Sequence, residues 1–242
     1  MDTKRSLSNK FWKEKFVDQN KIDKLSQKKS ISHIFAKLLI SRDIDENNLD
    51  QFLHPDILSN IPNPFDLKDM KKAVDRCIIA LKHNERIGII ADYDVDGSTS
   101  ASILYKFLYN FTSNLIYKIP NRLTEGYGPN LRIMNEMLKE NVKLLFTLDC
   151  GTSAFNTIDH ENYKDIDVIV IDHHLSEYKL PKVFSIVNPN RFDENTNYKD
   201  LAAVGVTFLF LMALRKLMRD NNLFTKTKEP NLMSYLDLVA VG

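Results

Sequence analysis

The chain has 242 residues, 43% of them hydrophobic and 27% charged, with a formal net charge of +1 at pH 7. The apolar fraction is sufficient for a large core, and the balanced charge excludes a partner class selected by overall charge alone. Two cysteines are too few for a disulfide framework, which fits a reducing cytosol. The main apolar run, residues 206–214, is far shorter than the roughly 20 residues that cross a bilayer, and residues 1–10 are too polar for a signal peptide.

The first predicted segment, residues 1–66, is basic at its start and helical further on. Residues 1–30 carry nine Lys or Arg against four Asp or Glu, and they show little apolar pattern. Such a basic arm would either bind a phosphate backbone or remain a solvated terminus. Apolar residues at three- and four-residue steps predict a helix over Ser32–Ser41, and three prolines predict an extended connector over residues 55–66.

From residue 67 to residue 242, short apolar runs alternate with amphipathic ones. The pattern predicts strands at Ile87–Ala91, Leu115–Ile119, Lys143–Leu148, Asp167–Ile171 and Phe184–Val187. It predicts helices at Leu67–Asn84, Ser98–Phe111 (with Ser98 or Thr99 as N-cap), Leu131–Glu140, Leu201–Arg219 and Leu232–Val241. Alternation of this kind predicts an α/β domain with a mostly parallel sheet and helices on both faces.

Acidic and imidazole side chains follow three of the predicted strands. Asp92, Asp94 and Asp96 follow the first strand, Asp149 follows the third, and Asp172, His173 and His174 follow the fourth. Because the carboxyl ends of parallel strands line one edge of a sheet, we expect these side chains to meet in one pocket.

This set of side chains predicts a site for divalent cations, because crowded ionised carboxylates repel each other without a counter-charge. Oxygen donors with some imidazole and no thiolate favour Mn²⁺ or Mg²⁺, and a shared carboxylate can bridge two ions. The three aspartates at 92, 94 and 96 also match the start of an EF-hand loop, but Ile103 stands where that loop requires Glu. Cys150 is expected to pack beneath the site rather than to react.

Three motifs in order resemble those of the DHH phosphoesterase superfamily. They are DYDVDG at 92–97, LDCG at 148–151 and VIDHH at 170–174. The similarity is greatest to the branch of bacterial single-strand-specific exonucleases, through further segments that include FW at 11–12, EGYGP at 125–129, VNPNR at 187–191 and LAAVGVTF at 201–208. The resemblance covers nearly the whole chain.

The resemblance implies a role for each matching residue. It implies metal ligands at Asp94, Asp96, Asp149 and His173, a catalytic pair at His174 and Asp172, and supporting positions at Asp92 and Gly97. Asp149 would bridge two ions, either Mn²⁺ or Mg²⁺. Contacts to phosphate or to the strand are implied for Arg122, Tyr127 and Arg191, with Lys106 and Arg132 as further candidates.

The sequence departs from the family pattern at two places. Ile90 stands where pyrophosphatases of the superfamily have His, four residues before Asp94, which argues against a pyrophosphatase. The family's next motif has an aspartate shortly after Ala-(Leu/Val)-Gly, and this chain ends with that Gly at 242, since Asp237 lies too early to match. The expectation is therefore a fragment of a longer protein whose second metal site lacks a ligand.

The resemblance implies a cytoplasmic hydrolase that degrades single-stranded DNA from the 5′ end, releasing mononucleotides in DNA repair and recombination. Its partners would be single-stranded DNA, a single-strand-binding protein and a helicase, and it would not bind a membrane. Two alternatives stay open: a phosphodiesterase of the same superfamily that acts on short oligonucleotides or cyclic dinucleotides, and a DHH scaffold that binds nucleic acid without cutting it. The long N-terminal segment argues against the first, and the intact ligand set argues against the second.

Overall fold

The computed structural model describes residues 5–159, 163–224 and 228–242. The chain divides into two units, one that ends at Ile61 and one that extends from Pro62 to Gly242. No helix in the described part of the chain is long and apolar enough to cross a membrane.

The first unit is helical. Its helices are α1 (Gln19–Lys29), α2 (His33–Ile40), α3 (Leu49–Leu53) and α4 (Ile57–Asn60). Residues 1–30 show little apolar pattern and no helix was expected there, but α1 lies within them. Ile22 and Leu25, three residues apart, are buried in a small core with Leu39 of α2. The extended connector predicted over residues 55–66 is also wrong, since α4 and a 3₁₀ turn at Pro64–Asp66 occupy most of it.

The second unit alternates helices and strands. Its strands are β1 (Ile87–Ala91), β2 (Leu115–Lys118), β3 (Leu144–Leu148), β4 (Asp167–Ile171) and β5 (Ser185–Val187). Its helices are α5 (Met70–Lys82), α6 (Val95–Tyr109), α7 (Leu131–Lys139), α8 (Phe155–Ile158), α9 (Ala203–Asp220) and α10 (Leu236–Val239), and a 3₁₀ turn at Leu232–Tyr235 precedes α10.

The five strands form one parallel sheet in the order β2-β1-β3-β4-β5. Side chains alternate between its two faces: Leu145 packs in the cluster that holds Met137 of α7, whereas the next residue, Phe146, contacts Phe210 of α9 with ring centroids 5.5 Å apart. Helices therefore cover both faces, and this confirms the α/β fold expected from the sequence.

Helix α6 begins at Val95, three residues before the predicted start at Ser98. The carboxylate of Asp94 accepts a hydrogen bond from the backbone N–H of Gly97 at 3.0 Å, so Asp94 is the N-cap. The prediction of Ser98 or Thr99 at this position was wrong. Because of the earlier start, the second and third aspartates of DYDVDG lie at the amino end of a helix.

Both cysteine thiols are expected to be unreactive in the folded protein. Cys77 and Cys150 are fully buried, and burial raises the pKa of Cys77 to about 12 and that of Cys150 well above its ordinary value. A thiol-reactive chromogenic disulfide at pH 8 should label neither cysteine in native buffer and both in denaturant. Rapid labelling of Cys150 in native buffer would contradict its packing beneath the site.

Candidate metal centre

The predicted site residues meet at the carboxyl edge of the sheet. The strand order is β2-β1-β3-β4-β5, so β2 lies on one side of β1 and the later strands lie on the other side. The strand order therefore reverses between β1 and β3. Ligands of open parallel sheets bind in the crevice at such a reversal. Asp92 follows β1, Asp149 follows β3 and Asp172 follows β4, so three consecutive strands supply acidic groups to this crevice.

Two groups of side chains here could each hold a metal ion. Ligand atoms of Asp149, His173 and His174 lie within 4.8 Å of one another, and so do ligand atoms of Asp92, Asp94 and Asp149. Asp149 belongs to both groups, and its side chain is 2% exposed. A carboxylate shared in this way is the arrangement that allows one ligand to contact two ions.

The buried carboxylates fit a cation because they have unused acceptor atoms. Oδ1 of Asp92 and Oδ1 of Asp149 are buried and accept no hydrogen bond from the described residues. His173 Nε2 lies 3.3 Å from Asp149 Oδ1, but outside hydrogen-bonding geometry. Burial, and then the nearby Asp96 and Asp94, raise the pKa of Asp149 to about 8, and burial also raises the pKa of Asp92. A divalent cation would supply the counter-charge that these groups lack.

Asp172 organises the loop that carries the two histidines. Its Oδ1 accepts hydrogen bonds from the backbone N–H of His173 at 2.7 Å and of His174 at 3.2 Å, and it lies 2.7 Å from His174 Nδ1. Burial opposes ionisation of Asp172, but the hydrogen bonds from His174 and Thr152 hold its pKa below the usual range. The same contact with Asp172 raises the pKa of His174 to about 9. Asp172 therefore fixes the orientation of His174 and favours its charged form.

Tyr127 and Arg122 lie beside this loop and β1. The Tyr127 hydroxyl donates a hydrogen bond to the backbone carbonyl of Asp149 at 2.8 Å, and it is 3.2 Å from His174 Nδ1. The guanidinium of Arg122 is exposed and lies 5.3 Å from the centre of the Tyr93 ring, next to Asp92. Both side chains are therefore placed where a bound substrate could reach them.

Asp96 is near the site but belongs to neither group of potential ligands. Its two oxygens accept hydrogen bonds from the backbone N–H groups of Ala203 and Val204, each at 2.7 Å. They lie at the amino end of α9, whose own N-cap residue, Ala202, offers no side-chain acceptor. Asp96 thus caps a helix more than a hundred residues away in sequence, while one of its oxygens remains 3.5 Å from His173 Nε2.

Arg191, expected to bind phosphate, is instead held in a buried network. Its guanidinium donates to both carboxylate oxygens of Asp193, to Asp69 and to the backbone carbonyl of Ile186, and the side chain is only 9% exposed. This arrangement leaves no free edge for a phosphate. The network ties the loop after β5 to the start of α5, so a structural role replaces the expected one.

The two further basic candidates differ from each other. Arg132 pairs with Glu125 and Glu136, which neutralises much of its charge. Lys106 is exposed and forms no ion pair within the described part of the chain. Of the two, Lys106 has the free charge that a nucleic-acid contact requires.

Two asparagines that sequence reasoning did not single out support the histidine loop. The side-chain amide of Asn188 donates to the His174 carbonyl at 2.9 Å and to Thr152, and that of Asn190 donates to the His173 carbonyl at 2.7 Å. Asn188 is fully buried. Their position in VNPNR, directly after β5 at the same sheet edge, was the available signal.

Substitutions at Arg191 and Arg122 should have opposite effects. Arg191→Met is expected to lower stability by about 1–2 kcal/mol, because it removes the four hydrogen bonds of a guanidinium whose side chain is only 9% exposed. Arg122→Met should leave the unfolding midpoint unchanged and weaken substrate binding. Urea unfolding and strand-binding titrations of both variants test this. A stable Arg191→Met protein with weakened binding would restore Arg191 as a phosphate contact.

The comparisons with known proteins agree on a family. The DHH family, N-terminal domain, matches residues 86–242. The chain is 37% identical over 179 residues to the single-stranded-DNA-specific exonuclease RecJ of Escherichia coli. The matched segment covers 73% of this chain and 31% of that protein. It is 33% identical over 232 residues to RecJ of Bacillus subtilis, which covers 96% of this chain and 28% of that protein.

Solved structures show the same similarity. An exonuclease RecJ bound to manganese matches with a TM-score of 0.62 and 30% identity, over 72% of this chain and 42% of that chain. RecJ of Thermus thermophilus in complex with Mn²⁺ matches with a TM-score of 0.67 over 93% of this chain and 30% of that chain, and at 23% identity it supports the fold alone. The chain spans about a third of the length of the curated relatives it matches.

Proposed function

The chain belongs to the DHH family, and from this premise we propose that it is the catalytic part of a metal-dependent nuclease that hydrolyses single-stranded DNA. The observation that supports this most is the pair of ligand groups that share Asp149 at the reversal of strand order. Phosphodiester hydrolysis is the chemistry for which two neighbouring divalent ions are commonly used.

The proposed ligands are Asp92, Asp94, Asp96, Asp149 and His173, with Asp149 common to both positions. Asp96 stays among the proposed ligands, because a carboxylate oxygen that accepts one backbone hydrogen bond keeps a second lone pair. Bound Mn²⁺ or Mg²⁺ would supply a water of lowered pKa and neutralise negative charge on the phosphate. The absence of thiolate ligands and the mixture of carboxylate and imidazole favour these two ions.

The protein's own residues would bind and orient the phosphate. His174 is held by Asp172 through Nδ1, which leaves Nε2 free to donate to a phosphate oxygen. Its raised pKa, about 9, keeps the imidazole protonated at neutral pH in the metal-free protein. Arg122, exposed beside Asp92, would bind a second phosphate, and Tyr127 would position both His174 and the backbone of Asp149.

The proposed substrate follows from the names of the relatives. The curated proteins that match are named single-stranded-DNA-specific exonucleases, and the match to the Bacillus subtilis protein includes the N-terminal unit. We propose that digestion starts at the 5′ end and releases mononucleotides in DNA repair and recombination. A single-strand-binding protein, a helicase and a cytoplasmic location belong to the same proposal.

The test is Mn²⁺-dependent digestion of oligonucleotides labelled at either end, single- and double-stranded. Mononucleotide release from the 5′ end of single strands supports the proposal, and loss of this activity in His173→Ala assigns it to the site. Hydrolysis of cyclic dinucleotides or dinucleotides alone would favour the small-substrate alternative, and strand binding without hydrolysis would favour the scaffold.

A further inference from the structure

A groove near the metal centre lies between the exposed face of α6 and strand β2. Its volume is about 340 Å³, and its walls include Ser98, Ser102, Tyr105, Lys106, Tyr117 and Ile119. We name it the tyrosine groove. Strand β2 is an edge strand of the sheet, and Tyr117 on this strand is 59% exposed.

We propose that the tyrosine groove binds the bases of a single-stranded nucleic acid by stacking, as a track that continues from the metal centre. The inference rests on the proposed nuclease function, because it assigns to the groove the strand that the metal centre would cut. Sequence-tolerant binding of single strands combines aromatic faces with basic groups that contact the backbone.

The tyrosine side chains form an ordered aromatic surface. The rings of Tyr105 and Tyr109 are stacked, with centroids 5.8 Å apart and an interplanar angle of 16°. Tyr117 meets Tyr105 edge-on, also at 5.8 Å. Tyr109 is 60% exposed, so its ring is half open to solvent although it is packed against Tyr105. Mutual packing holds these rings in place, which reduces the entropy cost of stacking a base on them.

The charges around the groove complement a polyanion. Lys106 is the one charged residue that lines it, no carboxylate does, and Lys106 has no ion-pair partner within the described residues. Lysine is depleted in the cores of protein–protein interfaces, whereas a lysine beside aromatic rings is typical of single-strand binding surfaces. The groove therefore favours a nucleic acid over a protein partner.

The groove also begins about one helical turn from the metal centre. Ser98 in its wall is four residues after Asp94, which is about one turn along α6. Tyr105 lies two further turns along the same face, about 10 Å from Ser98. A strand whose scissile phosphate is bound near Asp94 could therefore extend along α6 and place its next bases over the tyrosines.

The experiment separates strand binding from cleavage. Binding of a fluorescent 15-nucleotide strand is measured by anisotropy in EDTA, and hydrolysis of the same strand and of a dinucleotide is measured with Mn²⁺. Tyr105→Ala and Tyr117→Ala should each weaken 15-mer binding about ten-fold, whereas Tyr105→Phe and Tyr117→Phe should bind as the unaltered protein does. Lys106→Ala should lower by about one the number of counterions released on binding, read from the slope of log affinity against log salt concentration.

The outcomes distinguish this inference from the proposed function. With both correct, the alanine variants lose 15-mer affinity and keep dinucleotide hydrolysis. Unchanged 15-mer affinity in Tyr105→Ala, Tyr117→Ala and Lys106→Ala overturns the inference and leaves the groove to a protein partner, even if hydrolysis is normal. Weakened binding without hydrolysis of any substrate supports the groove and contradicts the nuclease. Ile79→Ala, on α5 beside β5 at the opposite edge of the sheet, controls for loss of an exposed apolar side chain.

Discussion

Replacing Asp149 with asparagine is expected to abolish Mn²⁺ binding and hydrolysis while making the metal-free protein more stable at alkaline pH. Asp149 is the residue common to both ligand groups, so its loss removes a ligand from each. Its backbone has a φ of 57°, a conformation that asparagine tolerates, so the substitution preserves the local fold. We expect a loss of activity of at least about a thousand-fold, since metal ions contribute several kcal/mol to such reactions.

The gain in stability follows from the raised pKa of Asp149. The carboxyl has a pKa of about 8 in the folded metal-free protein and 3.8 in the unfolded chain. Between these values the folded state keeps a proton that the unfolded state has lost, so the free energy of unfolding falls as pH rises from about 4 to 8. Asparagine does not ionise, so the Asp149→Asn protein lacks this loss of unfolding free energy with rising pH. The stabilisation from His174 remains, present below pH 6.5 and lost as pH rises through about 9.

Thermal unfolding in EDTA and in Mn²⁺, measured from pH 5 to pH 9, tests both parts. The unaltered protein should lose stability across the whole range in EDTA and regain it with Mn²⁺. Asp149→Asn should lose less stability than the unaltered protein between pH 5 and about pH 8 and should not respond to Mn²⁺. Asp75→Asn, at an exposed carboxylate paired with Lys71, is the matched control. A variant that still gains stability from Mn²⁺ would remove Asp149 from the ligand set.

The sheet was predictable from the sequence because its strands are short apolar runs bounded by polar residues. Asp167–Ile171 and Ile87–Ala91 were predicted with their observed bounds, since each buried run ends at an acidic residue that leaves the sheet. Because the strands are parallel, the acidic residues that follow them were expected at one edge of the sheet. The approach of Asp92, Asp149 and Asp172 to one crevice is therefore a consequence of pattern and general rules.

Contacts between distant residues were not predictable in this way. Asp96 caps a helix that begins at Ala203, and Arg191 pairs with Asp69, so each interaction joins residues more than a hundred positions apart. A lone arginine near a motif has the same appearance whether it binds a phosphate or a buried carboxylate. Only the packing of the loop after β5 against the start of α5 decides between these roles for Arg191.

The glycine of DYDVDG is expected to be indispensable for a steric reason. A Cβ at Gly97 would lie 2.4 Å from the backbone carbonyl oxygen of Asp92, and 2.7 Å from its carbonyl carbon. These are backbone atoms at the end of β1, which cannot move without displacing the Asp92 carboxylate. Gly97→Ala should therefore lower the free energy of unfolding by about 3 kcal/mol and weaken Mn²⁺ binding at the same time.

A second helical glycine provides the matched control. A Cβ at Gly205 in α9 would meet only the side chain of Leu201, at 3.3 Å, which can adjust. Gly205→Ala should leave Mn²⁺ binding intact and raise stability by up to about 1 kcal/mol through helix propensity. Urea unfolding and Mn²⁺ titration of both variants make the comparison. If Gly97→Ala behaves like Gly205→Ala, the close approach of Gly97 to the backbone of Asp92 does not hold Asp92 and Asp94 in place.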